Sequence, residues 1–140
     1  MLEENKALAR LYFARFPHDQ SLPDDAFAPG FVFHHLREIE GADAFKEFMA
    51  GVSRAFPDFR FDVHHLAAEA DLVAAHYEFG GTQRDTFLGV VPSRGRSFSV
   101  RGVSLFRCAD GKIAEIWVVF NSLAMMQQLG AVPELDERWA

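Results

Sequence analysis

Two adjacent histidines, His34-His35, are well suited to proton-transfer chemistry. They end the segment "FVFHHL", whose aromatic and β-branched residues predict a short strand. The unperturbed pKa of histidine lies near neutral pH, so its side chain serves as a general acid or base. Neighbouring strand residues point to opposite faces, so only one of the two can enter a pocket. His34 is two residues from Val32 and shares its face of the strand, so His34 is the first candidate for the inward position, although a β-bulge would select His35. The simpler alternative is a structural histidine at the rim of the barrel.

A second pair, His64-His65, poses the same question in the next strand. His64 is expected in solvent, whereas His65 shares a face with Phe61 and Val63 and could reach the interior. One histidine of each pair could in principle hold a metal. No HExxH motif or carboxylate spacing accompanies them, so we expect no metal site.

The stretch "VVFNSLAMMQQLG", residues 118–130, changes from an apolar strand pattern to a short helical pattern that ends at Gly130. Asn121 and Ser122 lie at this junction, and both residue types are good helix N-caps. The functional alternative is that the Asn121 amide orients a substrate carbonyl in a pocket. The two roles are compatible, because a helix N-terminus that opens into a cavity favours an oxyanion.

The chain contains 15 Phe among 140 residues, and a Phe-rich interior either lines a roomy apolar cavity or simply packs as core. Tyr and Trp side chains carry a polar atom that needs a partner when buried, which makes them the better candidates for ligand contact. Gln83 continues the face of Tyr77 and offers a second amide. The candidate substrate-binding residues are Tyr12, Phe16, Phe48, His65, Tyr77, Gln83 and Trp117.

Helices dominate the first part of the chain. Apolar spacing predicts a helix over residues 3–16 that Pro17 ends, and a short helical turn that begins at Asp24 or Asp25 and stops at Pro29-Gly30. The clearest helix lies in "GADAFKEFMAGVSRAFPD", with Asp43 as a plausible cap and Pro57 as the stop.

Strands dominate the rest. Alternating patterns predict strands within residues 58–70, 71–83, 96–108 and 112–121, and "ADG" is a hairpin turn between the last two. Helices, then an antiparallel run, then a terminal helix indicate an α+β fold in which a curved sheet wraps around the N-terminal helices and leaves a conical pocket. The long connection "QRDTFLGVVPSRG" is either plain surface or a lid that carries Phe87 and Leu88.

The last two strands are apolar on both faces, which predicts that helices cover one face and a second subunit the other, in a homodimer. Arg101 lies between apolar neighbours and either pairs with an acid at that interface or meets an anionic substrate. The length fits one domain, residues 1–140. The net charge of −6 argues against nucleic acid as a partner.

No apolar run reaches the length of a membrane span, and the start of the sequence lacks a signal peptide. The lone Cys108 excludes an internal disulfide, sits beside no evident base and fits a reducing compartment. These observations predict a cytoplasmic protein that contacts no membrane.

The segments "AFPDFRFDVHHL", "FGGTQ" and "FLGVVPSRGRSFSVRGVSLFRCADGKIAEIWVVFNSLAMMQQLG" resemble the SnoaL-like polyketide cyclases, also called ester cyclases. This family shares the conical α+β barrel of ketosteroid isomerase and nuclear transport factor 2. The resemblance implies ring closure of an extended aromatic ester by an intramolecular aldol step. A base removes a proton next to carbonyls and an acid protonates the receiving carbonyl oxygen, with no metal or organic cofactor.

The chain departs from the family pattern at two positions. The family usually carries Asp where this chain has Asn121, and often reads G-T-H where Gly81-Thr82-Gln83 stand. An amide neither gains nor loses a proton near neutral pH. An enzyme would therefore use His34 or His35 as base or acid, with Asn121 and Gln83 as polar anchors. The alternatives are a non-catalytic ligand-binding or interaction protein on the same fold, and a hydrolase or dehydratase of a related branch.

Overall fold

A computed structural model describes residues 1–19, 22, 24–134 and 138. Within these residues the helices are α1 Leu2–Asp19, α2 Ala42–Ala55 and α3 Ser122–Leu129, with a 3-10 turn at Asp24–Ala26. The strands are β1 Phe27–His34, β2 Glu38–Glu40, β3 Arg60–Glu69, β4 Leu72–Thr82, β5 Ser97–Ala109 and β6 Lys112–Phe120. No described helix is both long enough and apolar enough to cross a membrane.

The strands form one six-stranded sheet in the order β2-β1-β6-β5-β4-β3, and the helices pack on its concave side. The predicted α+β class is confirmed, as are the four long strands. The sheet is mixed rather than antiparallel throughout, because β1 runs parallel to β6. These two strands are far apart in sequence, so no hairpin turn forces them to be antiparallel. Within the described residues, β2 and β3 are the two edges of this sheet, which does not close into a barrel.

Two predicted boundaries were wrong. Helix α1 continues past Pro17 to Asp19, because burial of Phe13 and Phe16 against the sheet outweighs the local preference to stop before proline. Strand β1 starts before Pro29-Gly30 rather than after it. Gly30 has a φ of 78°, and the pairing of β1 with β6 shifts register there, so proline and glycine occupy a bulge.

Helix α2 ends before Pro57, as predicted, but its N-cap is Gly41 and not Asp43, which lies in the first turn. Its buried face points at the sheet, and the centre of that face is Phe45, which is fully buried. The Phe45 ring lies 4.5 Å from that of Phe33 and 5.0 Å from that of Phe16. This aromatic cluster fills the space between α1, α2 and β1 as solid core.

Candidate functional site

A cavity of about 80 Å³ lies between the helices and the concave face of the sheet. Its walls are aromatic and aliphatic, and four residues contribute polar side-chain atoms: Tyr12, His35, Tyr77 and Ser104. A largely apolar cavity with a few converging polar groups is the usual form of a small-molecule site.

An outer groove of about 560 Å³ adjoins the cavity, since Phe33, His35, Phe48 and Phe120 line both spaces. The inner cavity alone is smaller than the roughly 150 Å³ that accommodates benzene in an engineered protein. A ligand of useful size would therefore place one end inside and its bulk in the groove. Arg37 is the one permanently charged side chain among the described residues that line this groove.

The inward-facing histidine is His35, and the parity that nominated His34 was wrong. Phe31 and Phe33 are buried on the inner face, and His35 continues their alternation just beyond the end of β1. Its ring lies 4.8 Å from the Phe120 ring. Burial lowers the pKa of His35, because the imidazolium form loses hydration there. His35 is therefore neutral at pH 7 and able to accept a proton.

His34 lies on the outer face of the sheet instead. Its Nε2 is 2.8 Å from Glu115 Oε2 and its Nδ1 is 3.3 Å from Glu38 Oε1. Its ring stacks on Trp117 at 5.1 Å with an interplanar angle of 8°. Trp117 thus faces away from the cavity as well, because Ile116 beside it occupies the inner face. Neither side chain can contact a ligand in the cavity.

His65 also lies outside, and its expected inward orientation was wrong. The pairing of β3 with β4 shifts register between Val63 and His65, so the alternation read from Phe61 does not continue. His65 Nδ1 lies 3.2 Å from His76 Nδ1 on the outer face. Among the described residues, no three His, Cys, Asp or Glu side chains are grouped closely enough to hold a metal ion.

Tyr12 and Tyr77 do line the cavity, and a serine that sequence reasoning missed joins them. Tyr77 Oη and Ser104 Oγ share a buried hydrogen bond of 2.7 Å. Burial raises the pKa of Tyr77 to about 12 and raises the pKa of Tyr12 further above its ordinary value. Both phenols therefore stay protonated. The available signal was that Ser104 interrupts the apolar inner face of β5 between Gly102 and Phe106.

Gly102 leaves room for the side chains of Tyr77 and Phe120 beside β5. A Cβ at Gly102 would lie 3.1 Å from a ring carbon of Tyr77 and 3.2 Å from the Phe120 Cβ. Both distances are shorter than ordinary carbon contacts, so a larger residue here would press on the Tyr77 ring and on the Phe120 side chain.

The remaining predicted contacts divide between cavity and core. Phe48 lines both the cavity and the groove. Phe16 is fully buried in the aromatic cluster around Phe45 and lies away from the cavity lining. Gln83 is fully buried too, but its amide nitrogen donates to the Val91 carbonyl at 2.8 Å and to the Asp85 carbonyl at 3.1 Å. Its amide nitrogen thus holds the loop that follows β4, while its Oε1 is buried without a hydrogen-bond partner among the described residues.

That loop forms one side of the groove. Phe87 and Val91 pair through two backbone hydrogen bonds of 2.9 Å and close a tight turn. The Phe87 ring packs 5.1 Å from Phe56 and lines both the cavity and the groove. Leu88 lines the groove, and Val90 is exposed. The loop therefore borders the groove, and its closure as a lid stays a prediction.

Asn121 is the N-cap of α3, as predicted. Its Oδ1 accepts a hydrogen bond of 3.0 Å from the Ala124 backbone N–H, and the residue is exposed. It lies outside the lining of the cavity and the groove, whereas the neighbouring Ser122 lines the groove. Arg101 is exposed on the outer face, in register with Glu78 of β4.

Comparison with solved structures shows close likeness over nearly the whole chain. AclR from Streptomyces galilaeus, provisionally described as a hydroxylase, has a TM-score of 0.83 at 30% identity, covering 99% of this chain and 88% of that chain. A protein from Jannaschia sp. CCS1, provisionally described as a SnoaL-like polyketide cyclase, has a TM-score of 0.82 at 29% identity, covering 94% of both chains.

IdmH from Streptomyces antibioticus, provisionally described as a polyketide cyclase, has a TM-score of 0.75 at 25% identity, covering 90% of this chain and 98% of that chain. No curated protein sequence matches the chain at a significant level. The sequence model of the SnoaL-like polyketide cyclase family matches residues 7–129. The chain therefore belongs to the SnoaL-like polyketide cyclase family.

Proposed function

We propose that this protein binds an elongated apolar carbonyl compound and moves a proton at the carbon next to the carbonyl, with His35 as the base. The observation that carries this proposal is the position of His35, which lines both the cavity and the groove. Of the described residues around these two spaces, it is the one whose ordinary pKa lies near neutral pH. A ligand that spans both spaces must pass beside it.

The chemistry fits an aldol-type cyclisation or an isomerisation. Neutral His35 takes the proton from carbon, and the electron pair moves into the carbonyl to give an enolate. In a cyclisation the enolate carbon attacks a second carbonyl, and the imidazolium returns the proton to the new alkoxide. Apolar walls that hold the chain folded would supply much of the rate through proximity. No cofactor takes part in this scheme.

A non-catalytic binding protein is the second candidate, and Asn121 favours it. The family usually places an acid at this position, whereas here the side chain caps a helix. No carboxylate lines the cavity in the described part of the chain. Such a protein would use the same cavity for the same class of ligand without turnover.

Matched histidine variants separate the two candidates. Aromatic β-keto esters would be screened for binding by calorimetry and for conversion by chromatography. His35→Gln should lower turnover by about 10²-fold or more, while His34→Gln should leave it unchanged. The rate of the native protein should rise with pH through an inflection below the ordinary histidine value, since burial lowers the His35 pKa. Binding without conversion would establish the binding protein, and full activity of His35→Gln would rule out His35 as the base.

Homodimerisation through the outer face of the sheet belongs to the same proposal. Val103 and Val119 are directly paired across β5 and β6 and are 47% and 74% exposed. Leu105 and Trp117 form the next pair and extend the apolar surface. Val119→Glu should convert the dimer to a monomer in light scattering. Val90→Glu is the control, because Val90 is equally exposed but lies on the loop. A native protein that is already monomeric would disprove the dimer.

A further inference from the structure

Arg37 places a positive charge in the wall of the outer groove. It lies in the short turn between β1 and β2, and it lines the groove with His35 and Ser122, the other polar side chains among the described lining residues. The rest of the described lining is apolar. An apolar wall with one fixed cation favours a ligand that has an apolar body and one negative charge.

The Arg37 guanidinium has no partner among the described residues. It forms no ion pair and no side-chain hydrogen bond with any of them. Glu47 and Asp85 line a neighbouring hollow that Arg37 lines too, yet neither carboxylate pairs with it. Glu38, the next residue along the chain, contacts His34 on the outer face of the sheet instead. The charge of Arg37 is therefore available to a ligand in the groove.

Arg37 also lies close to the proposed base. The His35 backbone N–H donates to the Arg37 carbonyl at 3.2 Å, so the chain turns tightly between the two residues. Two residues of chain span at most about 7 Å. A ligand whose carbonyl group lies beside His35 therefore needs only a few further bonds to bring an anionic group to Arg37.

We infer that Arg37 binds a carboxylate at the outer end of the ligand, so the substrate class is an apolar keto acid rather than a neutral ketone or ester. A carboxylate matches one guanidinium through two parallel hydrogen bonds and balances its single charge. A phosphate monoester carries nearly two charges at pH 7 and would leave one of them uncompensated in this groove. The inference rests on the proposed function only in placing a carbonyl ligand here, and it holds with or without turnover.

Arg37 also sets the direction in which the ligand enters. The chain carries a net charge of −6, so an acid is repelled over most of the surface and attracted at this cation. With the carboxylate held at the mouth, the apolar end enters the inner cavity and the carbonyl group lies beside His35. Arg37 is a specificity-determining residue and takes no part in the proton transfer itself.

The test compares an acid with its neutral isostere, β-benzoylpropionate and the corresponding primary amide. The two compounds share a phenyl ketone and differ in one charge, because a carboxylic acid is ionised at pH 7. Dissociation constants would be measured by NMR titration at low salt. The native protein should bind the acid about 3- to 10-fold more tightly than the amide, and this preference should shrink as salt is added.

Three variants assign the preference to Arg37. Arg37→Gln should abolish it and leave the affinity for the amide unchanged. Arg37→Lys should keep part of it, because an ammonium group retains the charge but not the paired donors. Arg101→Gln is the matched control, since it removes the same charge from the outer face of the sheet and should leave the preference intact.

Two measurements separate ligand contact from an effect on folding. The Arg37 Nε–H resonance, identified by its loss in Arg37→Gln, should shift when the acid is added and stay in place with the amide. Arg37 is exposed, so Arg37→Gln should unfold at the same temperature as the native protein.

Each outcome decides the inference. If both compounds bind and Arg37→Gln keeps the preference for the acid, or Arg101→Gln loses it equally, Arg37 does not bind the carboxylate and the proposed function still stands. Equal affinity of the native protein for acid and amide has the same meaning. If neither compound binds the native protein, the inference and the proposed ligand class are overturned together.

Discussion

Asn121 is where this chain departs from its family, and its capping role predicts a defined loss of stability in Asn121→Ala. The variant removes the acceptor for the Ala124 N–H and leaves the first turn of α3 without its side-chain cap. Loss of such a cap costs about 1 kcal/mol. For a chain of this length, that corresponds to a fall in Tm of roughly 3 °C. The helix is short, and its buried Met125 and Leu129 depend on it for position.

Asn121→Asp gives the matched comparison. A carboxylate still accepts from the Ala124 N–H and adds a negative charge at the positive end of the helix, which contributes about 0.3–1 kcal/mol at low salt. The order of stability should therefore be Asp, then Asn, then Ala, and the gain from Asp should shrink as salt is added. Urea unfolding at pH 7, in low and high salt, measures both effects.

Ser122→Ala is the control, because Ser122 is exposed and Asn121 supplies the cap. Equal stability of Asn121→Ala and the native protein would refute the capping argument, as would a Ser122→Ala variant that loses as much. If conversion of a β-keto ester appears only in Asn121→Asp, the native protein binds its ligand without transforming it.

Two further predictions concern the outer face and the core. The hydrogen bond from His34 and the contact with Arg107 lower the pKa of Glu115 in the folded state. The ionised Glu115 therefore stabilises the fold by roughly 1 kcal/mol above the unfolded-state pKa. This stabilisation is lost as the pH falls through the lower folded-state pKa. Urea unfolding of Glu115→Gln should therefore show less loss of stability between about pH 5 and pH 3 than the native protein, and a parallel pH dependence would contradict this. Phe45→Ala should lower the free energy of unfolding by about 3–5 kcal/mol, because Phe45 is fully buried among several rings. A loss of less than about 1 kcal/mol by calorimetry would mean that the aromatic cluster is not tightly packed.

Local sequence signals accounted for most of the elements. The helical spacing that ends before Pro57, the alternation of the four long strands and the "ADG" turn each depend on residues close together in the chain. The cap at Asn121 was predictable for the same reason. The parallel pairing of β1 with β6 was not, because it joins segments about eighty residues apart and carries no turn signature.

The sequence predicted which types of residue would line the candidate site more reliably than which way each side chain would point. Tyr12, Phe48 and Tyr77 line the cavity as expected, because their neighbours on the same face are apolar. Gln83 lies on the expected inner face, but its amide nitrogen donates to two backbone carbonyls of the following loop. That use depends on how the loop folds back, which no local pattern reveals.

By itself, the sequence determined that one of two adjacent histidines would face inward and that the fold would hold an apolar, Phe-rich interior. Only the tertiary structure decided which of the two histidines faces inward. Alternation along a strand defines two faces but does not say which one the helices cover, and a single bulge exchanges them. In β1 the helices pack against Phe31 and Phe33, so His35 faces the cavity. In β3 the register shift after Val63 turns His65 outward, because the inserted residue reverses every later side chain.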